Sequence, residues 1–174
     1  TAVIAWLHTE SASFLVSGAL VAGISAYLLV KGKGADMARK TLKMGAIVTI
    51  VAGLAVSITG DQDSKIMVQQ QPMKMAAAEA LYQNESNAGF SVLTIGTLDG
   101  SKSVFDVKVP GLLSFLATGD FNGEVKGVND LQAEYSSTYG PGAYAPSIPT
   151  TYWTFRFMIG FGMLAMLFGL LALW

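Results

Sequence analysis

The amino-acid sequence predicts an all-α membrane protein with three transmembrane helices and a long extracytoplasmic loop that mixes a short helix with short strands. Of its 174 residues, 52% are hydrophobic and only 13% are charged, whereas a soluble domain carries about 25% charged residues. Three apolar segments are long enough to cross the ~30 Å hydrocarbon core of a bilayer. We therefore expect a membrane protein whose three spans are part of a larger helical bundle.

The three transmembrane helices are predicted at residues 1–30, 42–60 and 151–174. The connection at residues 31–41 is short and basic: the stretch KGKGADMARKTLK holds four lysines and one arginine against one acid. By the positive-inside rule this loop is cytoplasmic. Residues 61–150 then lie on the outer side, which agrees with their ten acids and five lysines.

The stretch 61–150 is too long for a simple connection. Pro72 suits the first turn of a helix, and MAAAEALY has strong helix propensity. SVLTIG and SVFDVKV predict two short strands joined by a turn at LDGS. PGLLSFLATG predicts a brief amphipathic helix, and the Gly/Pro-rich YGPGAYAPSIP predicts an irregular return to the membrane.

The residue types exclude several kinds of site. The chain has no cysteine, so it forms neither disulfides nor thiolate metal sites. His8 is its only histidine, so a site that needs two imidazoles must take one from elsewhere. No basic segment precedes the first apolar run, so we expect part of a longer polypeptide rather than a signal peptide. We expect no nucleic-acid partner.

Three ionisable residues lie within the predicted spans and are functional candidates, because such groups are costly in a bilayer. They are His8, Glu10 and Arg156. His8 and Met158 each lie about two turns from the outer end of a span, at ~1.5 Å per residue. An imidazole and a thioether at matched depth could ligate a haem iron from opposite sides. Small residues one turn further, such as Gly162, would leave room for the macrocycle.

Simpler interpretations compete with each of these. Met158 could serve packing alone, His8 could bond a neighbouring helix, and Arg156 could either pair with a haem propionate or extend to the interface. Glu10 could be a proton-handling carboxyl or an interfacial residue. The residues alone therefore leave open a haem redox protein and, alternatively, a non-catalytic transport or haem-anchoring subunit with a polar intramembrane path.

Six motifs in one order resemble a known family. WLHTESASF, GISAYLLVKGKGADMARKTLK, GDQ, QPMKMAAAEALY, VPGLLSFLATGD and TFRFMIGFG resemble the large subunit (subunit I) of cytochrome bd-type quinol oxidases. The resemblance covers the whole chain but only the middle segment of that subunit, with the quinol-binding loop. It implies a low-spin b-type haem whose axial ligands are His8 and Met158, with Arg156 supporting the haem.

The same resemblance implies an enzyme, a quinol:oxygen oxidoreductase of the bacterial cytoplasmic membrane that contributes to proton motive force. A high-spin b haem and a haem d are expected in the complete subunit but are not ligated from this segment. The implied partners are membrane lipid, quinol, the rest of the large subunit, a second large membrane subunit and small single-span subunits.

The resemblance also assigns quinol binding and oxidation to Lys74 and Glu79. Glu79 suits proton acceptance because the pKa of a carboxyl group can be tuned, and Lys74 could donate to a quinol oxygen. Five residues of helix turn by about 500°, so the two side chains should point some 140° apart and flank one edge of the site. The alternative is a solvated surface pair. Asp61 is a weaker candidate for proton release and is expected to cap a turn.

Overall fold

The computed structural model describes residues 2–97 and 101–174. The elements of this part of the chain are α1 (Ala2–Val30), α2 (Ala35–Gln70), α3 (Pro72–Glu79), β1 (Glu85–Ser86), β2 (Phe90–Gly96), β3 (Ser103–Val109), α4 (Leu112–Thr118), β4 (Glu124–Val125), α5 (Val128–Tyr139) and α6 (Ile148–Leu173). Helices α1, α2 and α6 are long and apolar enough to cross a membrane. The predicted fold class is therefore confirmed.

Helix α2 is longer than the predicted span. It begins at Ala35, within the stretch predicted as the cytoplasmic loop, and continues to Gln70. Asp61 consequently lies inside a helix, so the expectation that it caps a turn is wrong. The break comes at Gln71, whose backbone is not helical (φ −137°, ψ 57°). Pro72 follows, and a proline disfavours the helical conformation in the residue before it.

The chain divides into two compact units. We call Thr1–Asp63 with Met158–Trp174 the helix unit, and Ser64–Phe157 the loop unit. In the helix unit, α1 and α2 approach closely at Gly18 and Gly45. A Cβ atom on Gly18 would lie 2.8 Å from the Thr49 nitrogen, and one on Gly45 would lie 2.7 Å from the Ala22 nitrogen. Small residues allow helices in a membrane to pack backbone against backbone in this way.

Helix α6 packs against α2 through side chains. A Cβ atom on Gly53 would collide with the Met166 thioether, and one on Gly169 would lie 3.3 Å from Ile50. The Met166 side chain is therefore part of the packing between α2 and α6.

We expect Gly45→Val to destabilise the helix unit. The added side chain has no space against the α1 backbone, so the helices must separate, at a cost of roughly 3 kcal/mol. Gly23→Val is the matched control, because a Cβ atom there meets nothing within 4 Å. Thermal unfolding of the two variants in detergent measures the difference. Equal melting temperatures would contradict the close crossing of α1 and α2.

The loop unit is built around α3, which contributes to two buried apolar clusters. The first consists of Met73, Ala76, Ala77, Ala80, Tyr82, Val128, Leu131, Ile148 and Tyr152. The second consists of Met75, Leu81, Ala88, Leu113, Ala117 and Val125. Alanines 76–78 are all buried, so α3 is an interior helix of this unit.

The two predicted strands are present as β2 and β3, which pair antiparallel with Leu93 opposite Val107 and Ile95 opposite Phe105. The turn predicted at LDGS lies mostly at residues 98–100, outside the described residues. The predicted brief helix is α4, and residues 140–147 are irregular as expected. The sequence did not predict α5 or the short β1–β4 pair, in which Glu85 faces Val125.

Candidate functional site

Glu79 is the last residue of α3, and it lies in the interior of the loop unit. Ala80 adopts the left-handed conformation (φ 50°, ψ 40°) and ends the helix, and the Leu81 N–H donates to the Ala76 carbonyl at 2.9 Å. The alanine side chains before Glu79 are small, so the helix packs closely on its neighbours. Glu79 is 3% exposed, and a buried carboxylate needs a partner.

That partner is Arg156, from the first half of α6. Its Nη2 atom lies 2.5 Å from Glu79 Oε2, and its Nη1 atom lies 3.4 Å from Oε1. The two side chains are 9% and 2% exposed. This is a buried, charge-assisted pair, and removing one member of such a pair costs about 3–5 kcal/mol because the other charge remains buried.

Aromatic rings surround the guanidinium group. The Cζ atom of Arg156 lies 4.5 Å from the ring centroid of Phe90, 4.9 Å from that of Tyr152 and 5.3 Å from that of Phe155. Such contacts stabilise a desolvated cation. Within the described part of the chain, the buried Nε atom of Arg156 has no hydrogen-bond partner. Glu79 therefore does not satisfy every donor of Arg156.

The surroundings of Glu79 favour its protonated form. Burial raises the pKa of Glu79 above its ordinary value of 4.5, against the opposing effects of the Arg156 charge and of hydrogen bonds from Arg156 and the Ser91 backbone. A carboxyl group with a raised pKa exchanges protons closer to neutral pH. Glu79 is thus suited to proton transfer as well as to ion pairing.

A buried group of three hydroxyls holds Tyr152 beside this pair. The Thr94 N–H donates to the Tyr152 hydroxyl at 2.6 Å, and Ser91 Oγ lies 2.8 Å from the same oxygen and 2.6 Å from Thr94 Oγ1. The group fixes the start of α6 to β2. The sequence analysis missed it, because Ser91 and Thr94 lie more than fifty residues from Tyr152 and no motif links them.

Lys74 does not join the ion pair. It lies on α3 with an exposed side chain, and the structure gives it no ion pair among the residues that it describes. The predicted quinol residues thus differ in exposure. The alternative of a solvated surface pair is wrong for Glu79, which is buried against Arg156.

In the helix unit, His8 packs against α2. Its side chain is half-buried, and its Nδ1 atom lies 3.3 Å from Thr59 Oγ1. A Cβ atom on Gly60 would lie 3.1 Å from the His8 Cε1 atom, so the imidazole occupies space that a side chain at position 60 would need. Glu10, two residues further along α1, is exposed.

Met158 differs from Met166 in its surroundings. Met158 is 52% exposed on α6, whereas Met166 packs on Gly53. Glycines 160 and 162 have open space around them, since a Cβ atom on either would meet nothing within 4 Å. Met158 therefore lies on an exposed part of α6, whereas Met166 is packed against α2.

This donor set fits a haem better than a bare metal ion. Among the described residues, no three or more His, Cys, Asp or Glu side chains come together as metal ligands. A haem supplies its own four nitrogen ligands and takes only two axial donors from the protein, for which an imidazole and a thioether are suitable. The half-buried imidazole of His8 and the exposed thioether of Met158 are donors of these two kinds.

Comparison with known proteins agrees with this chemistry. The family model for cytochrome bd terminal oxidase subunit I matches residues 1–174. The chain is 41% identical over 163 residues to cytochrome bd ubiquinol oxidase subunit 1 of Bacillus subtilis, covering 92% of this chain and 35% of that protein. It is 30% identical over 130 residues to the Escherichia coli cytochrome bd-II ubiquinol oxidase subunit 1, covering 74% and 25%.

A solved structure shares the fold. The structure of bd oxidase from Geobacillus thermodenitrificans matches with a TM-score of 0.80 and 25% sequence identity, over 94% of this chain and 35% of that chain. The chain thus spans about a third or less of the length of these relatives.

Proposed function

The chain belongs to the cytochrome bd terminal oxidase subunit I family, and on this basis we propose that it forms the quinol-oxidising and low-spin haem-binding part of a quinol:oxygen oxidoreductase. The relatives named above are ubiquinol oxidases. In this proposal the chain is part of a multi-pass protein of the bacterial cytoplasmic membrane, and its residues 61–150 lie on the outer side. The basic stretch at residues 31–43, which includes the start of α2, supports that orientation.

The observation that carries the proposal is the buried carboxyl group of Glu79. A quinol loses two protons and two electrons on oxidation, so its site needs a proton acceptor that is shielded from bulk water and held in one orientation. Glu79 meets both needs, because it is 3% exposed and Arg156 holds both of its oxygens. An acid kept only for solubility would be exposed.

We assign each residue of the quinol site one role. Glu79 accepts a proton from a quinol hydroxyl and releases it towards the outer side. Arg156 orients the Glu79 carboxylate and compensates its charge while it is ionised. Lys74, exposed on the same helix, donates a hydrogen bond to a quinol oxygen and stabilises negative charge that develops on it.

We assign haem binding to three residues. His8 and Met158 of the helix unit would hold a low-spin b haem, and Arg156 of the loop unit, two residues before Met158 in the sequence, would support it. When bound, this haem supplies a one-electron acceptor of the relatively high potential that His/Met ligation favours. The ligands of a high-spin b haem and a haem d, where oxygen is reduced to water, belong to other segments of the large subunit.

The proposal places the chain in an assembly. The remaining segments of the large subunit, a second large membrane subunit and small single-span subunits complete the oxidase. Quinol reaches the site from the lipid phase. If protons for water formation come from the inner side while quinol protons leave outside, turnover contributes to proton motive force without a pump.

Quinol oxidation by the intact complex tests the proposal. We expect quinol to reduce a low-spin b haem in the wild-type complex, seen in reduced-minus-oxidised spectra. Lys74→Met should raise the KM for quinol about tenfold or more, because one charge-assisted hydrogen bond is lost, with the haem spectrum unchanged. Lys102→Met, another exposed lysine of the loop unit, is the control. A complex without a b-type signal would overturn the proposal.

A further inference from the structure

The hydroxyl group of Thr59 lies between the α2 backbone and the His8 ring. Thr59 Oγ1 donates to the Ala55 carbonyl at 2.8 Å and lies 3.3 Å from the Val56 carbonyl. A threonine hydroxyl has one proton and two acceptor lone pairs. Because the Ala55 carbonyl is the nearer acceptor for that proton, we assign the Thr59 oxygen the acceptor role towards the His8 Nδ1 atom, 3.3 Å away.

We propose that Thr59 is a positioning residue for the haem ligand His8. By accepting the Nδ1–H, the Thr59 oxygen fixes the neutral tautomer in which Nε2 carries the lone pair, and it fixes the rotation of the ring about its Cβ–Cγ bond. In metal sites the second ring nitrogen of a ligating histidine is generally bonded in this way, which also makes the imidazole a stronger donor. This inference rests on the proposed function, since it presupposes that His8 binds the iron.

Gly60, the residue after Thr59, forms the other part of the α2 surface against which the His8 ring packs. A Cβ atom on Gly60 would lie 3.1 Å from His8 Cε1 and 3.4 Å from Nδ1, so the imidazole lies directly on the α2 backbone at this position. The hydroxyl group of Thr59 and the absence of a side chain at Gly60 therefore define one position of the His8 ring. The Nε2 atom is the ring nitrogen left for a ligand.

Ser57 on α2 makes the same kind of hydrogen bond to its own helix backbone, but the described residues show no hydrogen bond between it and His8. Ser57 Oγ donates to the Gly53 carbonyl at 2.9 Å, as Thr59 does to Ala55. If the only role of Thr59 were to bond its own helix, loss of either hydroxyl would have the same consequence for the haem. Ser57→Ala is therefore the matched control for Thr59.

The test uses Thr59→Val in the complete oxidase, because valine keeps the shape of threonine but cannot accept a hydrogen bond. We expect the low-spin b haem to be retained, with its midpoint potential shifted upwards, since a weaker imidazole donor favours the ferrous state. We also expect altered g-values of the oxidised haem in electron paramagnetic resonance, because the ring is free to rotate. Thr59→Ser should restore both values, and Ser57→Ala should change neither.

Each outcome either supports or contradicts the proposed role of Thr59. Loss of the haem in Thr59→Val together with its retention in Thr59→Ser and Ser57→Ala would support the role more strongly still. An unchanged potential and unchanged g-values in Thr59→Val, or a Thr59→Ser variant that behaves like Thr59→Val, would overturn it. Failure of the proposed function is distinguishable, because a His8→Ala complex would then keep its low-spin haem whatever residue occupies position 59.

Discussion

His8→Ala is expected to remove the low-spin b haem from the oxidase completely. His8 is the only histidine of the chain, so no second imidazole in this segment can take its place, and a methyl group cannot ligate iron. The reduced-minus-oxidised spectrum of the purified complex should lose its low-spin b signal. The signals of haems ligated by other segments should remain.

Variants of the second ligand separate ligation from general damage to the helices. Met158→Leu should convert the haem to a high-spin form, because one axial ligand is lost while the other is kept. Met163→Leu is its control, since Met163 lies on the same helix and is similarly exposed, at 62% against 52%. A normal low-spin spectrum in His8→Ala or in Met158→Leu would contradict the assignment of that ligand.

Glu79→Gln is expected to lower quinol oxidation about 100-fold or more, the scale of a lost general base, with the low-spin haem spectrum largely intact. The amide cannot take up the quinol proton but can still hydrogen-bond Arg156. The wild-type rate should rise with pH as Glu79 ionises through its raised pKa, because only the carboxylate accepts a proton. The variant should lack this rise. Stopped-flow reduction of the haem by quinol at several pH values measures both effects.

Two controls distinguish chemistry from folding in this experiment. Glu134→Gln changes an acid of the same unit that is half-exposed and paired with Lys126, and it should turn over normally. Arg156→Gln and Glu79→Gln each leave one buried group without its partner, so thermal unfolding should show a destabilised loop unit in both variants, and a further loss of quinol oxidation in Glu79→Gln reports the missing carboxyl group. If Glu79→Gln oxidised quinol at the wild-type rate, Glu79 would not be the proton acceptor.

Local sequence patterns were sufficient to predict most elements of the fold. Apolar length identified the three long helices, and alternation identified β2 and β3 to within one residue at each end. Pro72 correctly marked the start of α3. The end of α2 was missed, because the polar run after Gly60 resembles a loop although its residues tolerate a helix. Helix α5 was missed because its apolar residues are few and its stability comes from packing against α3.

The site was predictable as a set of residues but not as a set of contacts. Motifs singled out Glu79 and Arg156 separately, and the sequence analysis gave Arg156 a propionate or the interface as its surroundings. The pairing of two residues 77 positions apart depends on tertiary packing that no local pattern encodes. The one available signal is the charge of Arg156 itself, because an arginine in an apolar helix requires an anionic partner.

The left-handed residue after Glu79 has an electrostatic consequence. Because Ala80 ends the helix, Glu79 occupies its last position, where backbone carbonyl dipoles converge and give the helix end a partial negative charge. A carboxylate there is disfavoured by roughly 0.3–1 kcal/mol relative to the neutral acid. The geometry of the backbone thus acts in the same direction as desolvation, so the proton affinity of this acid is set partly by where its helix stops.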